Sequence, residues 1–356
     1  MDIPFLVCVR CFTYNHVNYI TDALNGFCMQ KTNFPYVCCV LDDASTDGEQ
    51  DVINAYLQDN FDLYDTSIVR REETDDFSLI FAKHKENEMC YIAVLFLKYN
   101  HHSIRKDKMS YIAEWQKTAK YEASCEGDDY WIDATKLQKQ VDALETHPEC
   151  SIAFCKVKDV SRKGTDLKTT KPNGNYLKTG VVTLNDFLKY QYGKGQWVFQ
   201  TSGYFYRILK DLQECYNSDL YKQFPYGDEP FVIWCLLKGK GYYIDDIGSC
   251  YRVQAGGYMS SVRNNPDFAI NQQNKLIKAL LFLDDYTQFK YHQYINNRIL
   301  FAKFYIEYNS GHYLSLYNPR FYKILRYVPL KIFVIFNLRF LCPPLYQKLK
   351  RYRFSH

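Results

Sequence analysis

The sequence predicts an α/β fold, a mostly parallel sheet flanked by helices, and two observations carry that reading. Over the first 60 residues, apolar runs of strand length alternate with segments whose apolar residues recur at helical spacing. That β-α-β-α order favours parallel strands joined by right-handed crossovers. Three acidic clusters, Asp42-Asp43, Glu126-Gly127-Asp128-Asp129 and Asp228-Glu229, stand where apolar segments stop. In open α/β sheets ligands bind beyond the carboxyl ends of the strands, and carboxylates gathered there can hold a hard divalent cation against nucleotide phosphates.

In chain order, Phe5 to Phe12 reads as a strand, and Ile20, Ala23, Leu24 and Phe27 mark a helix. Tyr36 to Leu41 is a continuous apolar run, the pattern of a strand buried on both faces. Small polar residues from Asp42 to Gly48 suit a tight loop, and Val52, Ile53, Tyr56 and Leu57 continue as a second helix. Ser67 to Val69 is expected to be a short strand, and Tyr99 to Trp115, with no dominant period, is left irregular. Leu137, Val141 and Leu144 form a helical stripe before Pro148, and Ser151 to Val157 reads as a strand. Lys158 to Lys178, with Gly164, Pro172 and Gly174, is expected to be a long loop. Thr201 to Tyr206 and Tyr242 to Ile244 read as strands, Pro230 to Leu237 as a helix, and the chain past Pro266 as mainly helical.

A chain of 356 residues with 47% hydrophobic content can bury a large core, as one domain with an appendage or as two domains. Its 13 cysteines are odd in number and mostly sit in apolar segments, which points to reduced thiols and a cytoplasmic protein. Cys8 and Cys11 form a CxxC, but within an apolar run and without a second pair at zinc spacing, so both are expected in the core. Asp2 and Pro4 occupy the place of a positive signal-peptide region, so export is not expected. No apolar run approaches the roughly 18 residues that span a bilayer.

The net charge of +4 is unevenly distributed: Pro319 to His356 holds nine Lys and Arg and no acid, so the rest of the chain is net negative. Phe321, Tyr322, Tyr327, Ile332, Phe333, Phe336, Phe340 and Tyr346 are interleaved with these charges. Such a tail fits an anionic membrane surface; the alternative is a packed helix with a solvated basic face. Nucleic acid is not expected as a partner, because the body is acidic and carries no nucleic-acid motif.

Three segments then carry a resemblance: Val9-Arg10-Cys11-Phe12-Thr13-Tyr14-Asn15-His16, Val40-Leu41-Asp42-Asp43-Ala44-Ser45-Thr46-Asp47-Gly48 and Cys125-Glu126-Gly127-Asp128-Asp129-Tyr130-Trp131. Gly227-Asp228, Lys238 to Asp245, and Tyr251-Arg252-Val253-Gln254 with Gly256-Gly257 follow in order. Together they resemble the successive signatures of family 2 glycosyltransferases with the GT-A fold, of the type that builds bacterial surface polysaccharides such as capsule. The resemblance runs from about residue 3 to 261. It implies a catalytic domain at 1–261, followed by a mainly helical region at 262–356 that ends in the basic aromatic tail. It also implies transfer of a sugar from a nucleoside diphosphate donor, UDP-linked, with inversion at the anomeric carbon.

Residue by residue, the resemblance implies donor contacts by Thr13, Tyr14, Asn15, Asp43, Asp128 and Arg252, and Mn²⁺ or Mg²⁺ held by Asp129, Asp128 and Glu126. The physical readings run alongside. An exposed Tyr14 ring could stack on a base, and Asp43 could accept the imide N–H of uracil or thymine. A metal at the acidic turn would neutralise the diphosphate leaving group. Arg252 could meet phosphates. Asp228 matches the catalytic base that deprotonates the acceptor hydroxyl, with Glu229 its rival. Many relatives carry His where this chain has Gln254, so a metal or phosphate role there stays open.

The sequence therefore predicts an inverting, metal-dependent glycosyltransferase. It would act in the cytoplasm or on the inner face of the cell membrane, on a glycan or lipid-linked acceptor. A non-catalytic assembly protein that binds nucleotide sugar or membrane is the alternative from another class. A nucleotidyltransferase is disfavoured, because no Gly-rich, basic loop near the N-terminus could cradle a triphosphate.

Overall fold

The computed structural model describes residues 4–174, 176–208, 212–253, 262, 264–328 and 330–346. Gln254, Gly256, Gly257 and the four basic residues Lys348, Lys350, Arg351 and Arg353 lie outside them. The chain forms two compact units: residues 1–183, 199–212 and 235–253 in the first, and 184–198, 213–234 and 254–356 in the second.

The first unit is an α/β layer structure. Its strands are β1 (Val7–Thr13), β2 (Tyr36–Asp42), β3 (Phe61–Asp62), β4 (Arg70–Glu73), β5 (Phe77–His84), β6 (Cys90–Leu97), β7 (Tyr121–Ser124), β8 (Tyr130–Trp131), β9 (Cys150–Val160), β10 (Asp166–Lys171), β11 (Gly180–Val182), β12 (Tyr204–Arg207) and β13 (Lys240–Arg252). The sheet order is β11-β13-β9-β12-β7-β1-β2-β6-β5-β3 among the described residues. At its centre β6, β2, β1 and β7 run parallel, and antiparallel strands extend it on both sides.

Every position of β2 and β6 is buried, and all but Asp42 are apolar, because both faces are covered. From β1, β2 and β6, Val9, Cys38 and Val94 enter one core while Cys8, Cys39 and Leu95 enter the other. Helices α1 (Ile20–Cys28) and α2 (Glu49–Asn60) and the helix Lys136–Thr146 cover the first face through Leu24, Phe27, Ile53, Leu137 and Val141. Ile112 and Trp115 cover the second. Each such side chain contributes about 1.5–3 kcal/mol on burial. Cys8 and Cys11 are buried in different cores, as two strand residues three apart must be, so the CxxC forms no site.

Three expectations are corrected. Ser67 and Ile68 lie in a turn, and the strand begins at Arg70. The segment Lys158 to Lys178 is not a plain loop: β9 runs on to Val160, and β10 pairs back on it. Between Val69 and Tyr99, where no element was expected, lie β4, β5 and β6, and β6 is buried at all eight positions. Its run Cys90-Tyr91-Ile92-Ala93-Val94-Leu95-Phe96-Leu97 has the same signature as β2 and was legible.

In the second unit, helices Pro266–Tyr286 and His292–Asn309 pack together. Phe301 and Phe304 join Leu316, Phe321, Ile324 and Val328 in a separate core. Asn265 caps the first of these helices by accepting the N–H of Phe268 at 3.0 Å, with Pro266 preset at its start. No described helix is long and apolar enough to cross a membrane.

Candidate active site

Strands β2, β1 and β7 are adjacent and parallel, so the loops leaving them meet along one edge of the sheet. The crossover from β1 leads to β2 on one side and the one from β6 returns to β7 on the other, so the strand order reverses at β1, the crevice where open α/β sheets bind ligands.

The first loop is held by a residue that sequence reasoning passed over. Glu49, the first residue of α2, is fully buried. One of its carboxylate oxygens accepts from the Thr13 hydroxyl, and the other accepts from the His16 N–H and the Ser45 hydroxyl, both at 2.8 Å. The β1 and β2 loops are thereby tied to one carboxylate, which the helix N-terminus also favours. Asn15 sits in the left-handed region at φ 56° and Ala44 at φ 60°. The Asn15 side chain offsets its strain by accepting the N–H of Thr46 at 2.8 Å. Tyr14 projects with 43% of its surface exposed.

Asp43 is buried beneath the second loop and accepts the His101 N–H at 2.6 Å, the His102 N–H at 3.1 Å and the Lys108 ammonium at 3.0 Å. Burial raises its pKa, but these donors outweigh it and hold the carboxyl below its ordinary range. Lys108 also lies 5.1 Å from the centre of the Phe12 ring.

The acidic turn after β7 gives its three acids different environments. The Gly127 N–H donates to Phe12 O at 3.1 Å, and a Cβ at residue 127 would stand 2.1 Å from the Thr13 hydroxyl oxygen. Only glycine lets the turn close on β1. Glu126 approaches the Arg10 guanidinium at 3.6 Å. Asp128, with 24% of its side chain exposed, has a carboxylate oxygen 4.0 Å from His16 Nε2. Asp129 is buried and accepts the backbone N–H of Arg252 at 2.9 Å. Burial, reinforced by the charge of Asp128, pushes the Asp129 carboxyl well up.

Arg252 is also buried. Its guanidinium lies 4.7 Å from the centres of both the Tyr19 and Tyr130 rings, pairs with Asp22, and donates to the backbone oxygen of Asp128 at 2.7 Å. It holds the acidic turn from below. Behind the turn, Trp131 Nε1 donates to Ser202 O at 3.0 Å, and the buried Lys136 ammonium lies 4.0 Å from the Trp131 ring centre.

Thr13, Tyr14, Asn15, Asp43, Glu126, Asp128, Asp129 and Arg252 all belong to the first unit, whereas Asp228 and Glu229 lie in the second, opening the helix Asp228–Lys238. Asp228 is partly exposed, and desolvation with the neighbouring Glu229 charge pushes its carboxyl up to about 6. Glu229 is buried and accepts the Tyr226 hydroxyl at 2.5 Å. Burial, reinforced by the Glu229 charge, pushes the Tyr192 hydroxyl well up, and against burial Tyr226 and Glu229 raise the pKa of Arg298, so the four groups form one electrostatic cluster. Among the described residues, no group of three or more His, Cys, Asp or Glu side chains is arranged to hold a metal ion.

Glu49, His16 and Lys108 were missed as site residues. His16 directly follows Tyr14-Asn15, and Lys108 falls in the stretch left irregular. Nothing local distinguishes Glu49 from an ordinary acid in a first helical turn.

No family model matches the sequence. Uncharacterized proteins of Mycobacterium bovis and Mycobacterium tuberculosis are 34% identical over 152 residues, 43% of this chain and 35% of theirs. The chain thus spans about a third of the length of these relatives. Among solved structures, S. aureus TarS 1–349 shares the fold at a TM-score of 0.50 and 16% identity, covering 97% of this chain and 87% of that one. The same protein with UDP gives 0.44 at 18% identity over 97% and 87% of the two chains. A mannosyltransferase, PcManGT from Pyrobaculum calidifontis with GDP-Man and Mn²⁺, gives 0.48 at 13% identity over 94% and 87%.

Proposed function

We propose that this chain moves a sugar from a nucleoside diphosphate donor, UDP-linked, to a hydroxyl of a glycan or lipid-linked acceptor, with inversion at the anomeric carbon. The observation that carries the reading is the convergence of Tyr14, Asp43 and Asp128 on loops at the carboxyl ends of β1, β2 and β7. In this reading Tyr14 stacks on the base. The Asp43 carboxylate, which has acceptor sites beyond its three present donors, takes an N–H of the base.

Asp128 fits a metal on the diphosphate better than its neighbours do. It is partly exposed, whereas Asp129 is buried against Arg252 and Glu126 faces Arg10. Mg²⁺ is commonly held by one or two carboxylates plus substrate phosphates, so a full cage of protein ligands is not required. When bound, Mn²⁺ or Mg²⁺ would neutralise charge developing on the leaving diphosphate. Thr13 and Asn15 shape the loop that faces the donor, while Asp129 and Arg252 keep the turn in place without touching it.

Asp228 acts as the base on the acceptor hydroxyl. Its carboxyl, poised near 6, suits proton abstraction at neutral pH, whereas Glu229 is buried and engaged by Tyr226. The setting is synthesis of a surface polysaccharide in the cytoplasm, at the inner face of the membrane, with the basic tail as the attachment.

Thermal stabilisation by a panel of nucleotide sugars with Mn²⁺ identifies the donor, since a bound ligand raises apparent stability by mass action. Product analysis then tests the reaction. Release of free nucleoside diphosphate supports transfer, pyrophosphate would mean nucleotidyl transfer, and stabilisation without turnover would leave a binding protein.

A further inference from the structure

We propose that His16 is a metal ligand beside Asp128, which makes the site prefer Mn²⁺ to Mg²⁺; this rests on the reading of Asp128 as the metal-holding carboxylate. The geometry follows from hydrogen-bond bookkeeping. Thr13 has one hydroxyl proton, and it goes to Glu49. The Thr13 oxygen, 3.2 Å from His16 Nδ1, can therefore only accept, so Nδ1 carries the imidazole proton. In the neutral ring Nε2 then holds the lone pair, and it stands 4.0 Å from an Asp128 carboxylate oxygen.

Two donors each about 2.1 Å from one ion stand roughly 3 to 4 Å apart. A ring nitrogen and a carboxylate oxygen at this separation match that span. Their side chains are 23% and 24% exposed, so an ion can enter from solvent. Orientation of a ligating imidazole through its other nitrogen is the usual arrangement at histidine metal sites, and here a buried Glu49–Thr13 pair supplies it. An imidazole favours first-row transition ions, whereas Mg²⁺ takes oxygen ligands. Phosphate oxygens and water would complete the coordination.

The test uses the full chain with Mn²⁺ and either UDP or GDP, read by electron paramagnetic resonance for ¹⁴N coupling from a directly bound imidazole. We expect coupling in the parent and none in His16→Gln. Mn²⁺ affinity in that variant should fall about 10- to 100-fold with Mg²⁺ affinity little changed, and Thr13→Val should weaken Mn²⁺ by a similar factor with coupling retained. Mn²⁺ retained with nucleotide but without nitrogen coupling in the parent overturns the His16 assignment and leaves the metal-dependent reading intact. No Mn²⁺ retention with either nucleotide overturns both. The parent spectrum decides even if a variant fails to fold.

Discussion

The carboxylate of Asp129 accepts the backbone N–H of Arg252 at 2.9 Å, joining residues 123 apart in sequence. This contact fastens the acidic turn to the end of β13, and it separates two adjacent acids that look equivalent in the sequence. Asp129→Ala should destabilise the fold by about 1–3 kcal/mol, because a buried donor loses its acceptor. Asp128→Ala should unfold near the parent temperature yet lose metal-dependent donor binding. Calorimetry on both variants checks this, and an Asp128→Ala protein that binds donor and Mn²⁺ like the parent would remove Asp128 from the site.

Asp228→Asn should keep donor affinity and slow transfer by about 10²- to 10⁴-fold, the range for a lost general base. The parent rate should rise with pH and level off above about 6, since the base must be ionised. Stability should move the opposite way. Between the ordinary value of 3.8 and about 6 the folded state binds more protons at Asp228 than the unfolded one. This group's contribution to stability therefore falls as pH rises through that window, and Asp228→Asn should flatten the trend. A dead Glu229→Gln beside an active Asp228→Asn would transfer the role.

Lys136 is buried, and burial lowers its pKa; Gln140 Oε1 accepts from its ammonium at 2.8 Å. With the folded pKa below the unfolded one, the unfolded state binds more protons between the two values, so stability should rise with pH toward 10.5. Lys136→Met should abolish that slope. Chemical denaturation at several alkaline pH values measures it, and an unchanged slope would show that Lys136 is charged in the fold.

The start of the tail is part of the second unit. Phe321, Ile324 and Val328 are buried in the core of the second unit, so truncation after Asn318 would open that core. Arg320 pairs with Glu307, and Arg339 donates to the Tyr313 and Tyr346 hydroxyls. Leu330, Phe333, Val334 and Leu341 are exposed. Replacing Lys348, Lys350, Arg351 and Arg353 with Gln should lower partitioning onto anionic vesicles at least tenfold, at about 1 kcal/mol per basic side chain near the surface. Flotation on anionic and neutral vesicles reads it; equal partitioning of parent and variant would leave the tail as a packed helix with a solvated basic face.

The sequence alone determined the features that repeat locally. Continuous apolar runs marked β1 and β2, helical spacing marked α1 and α2, and the acids stood at the strand ends where the sheet edge lies. The same rule applied to Cys90–Leu97 would have found β6. The tertiary structure decided what depends on partners distant in the chain. Asp128 and Asp129 differ because Arg252 arrives from β13. Asp43 gains its donors from the His101 to Lys108 segment, and Glu49 becomes the hub of the site because Thr13 and His16 come down onto it from β1. Periodicity records burial of a residue's own face, but hydrogen-bond partners and desolvation are set by whichever strand closes over it, and that is fixed only when the sheet assembles.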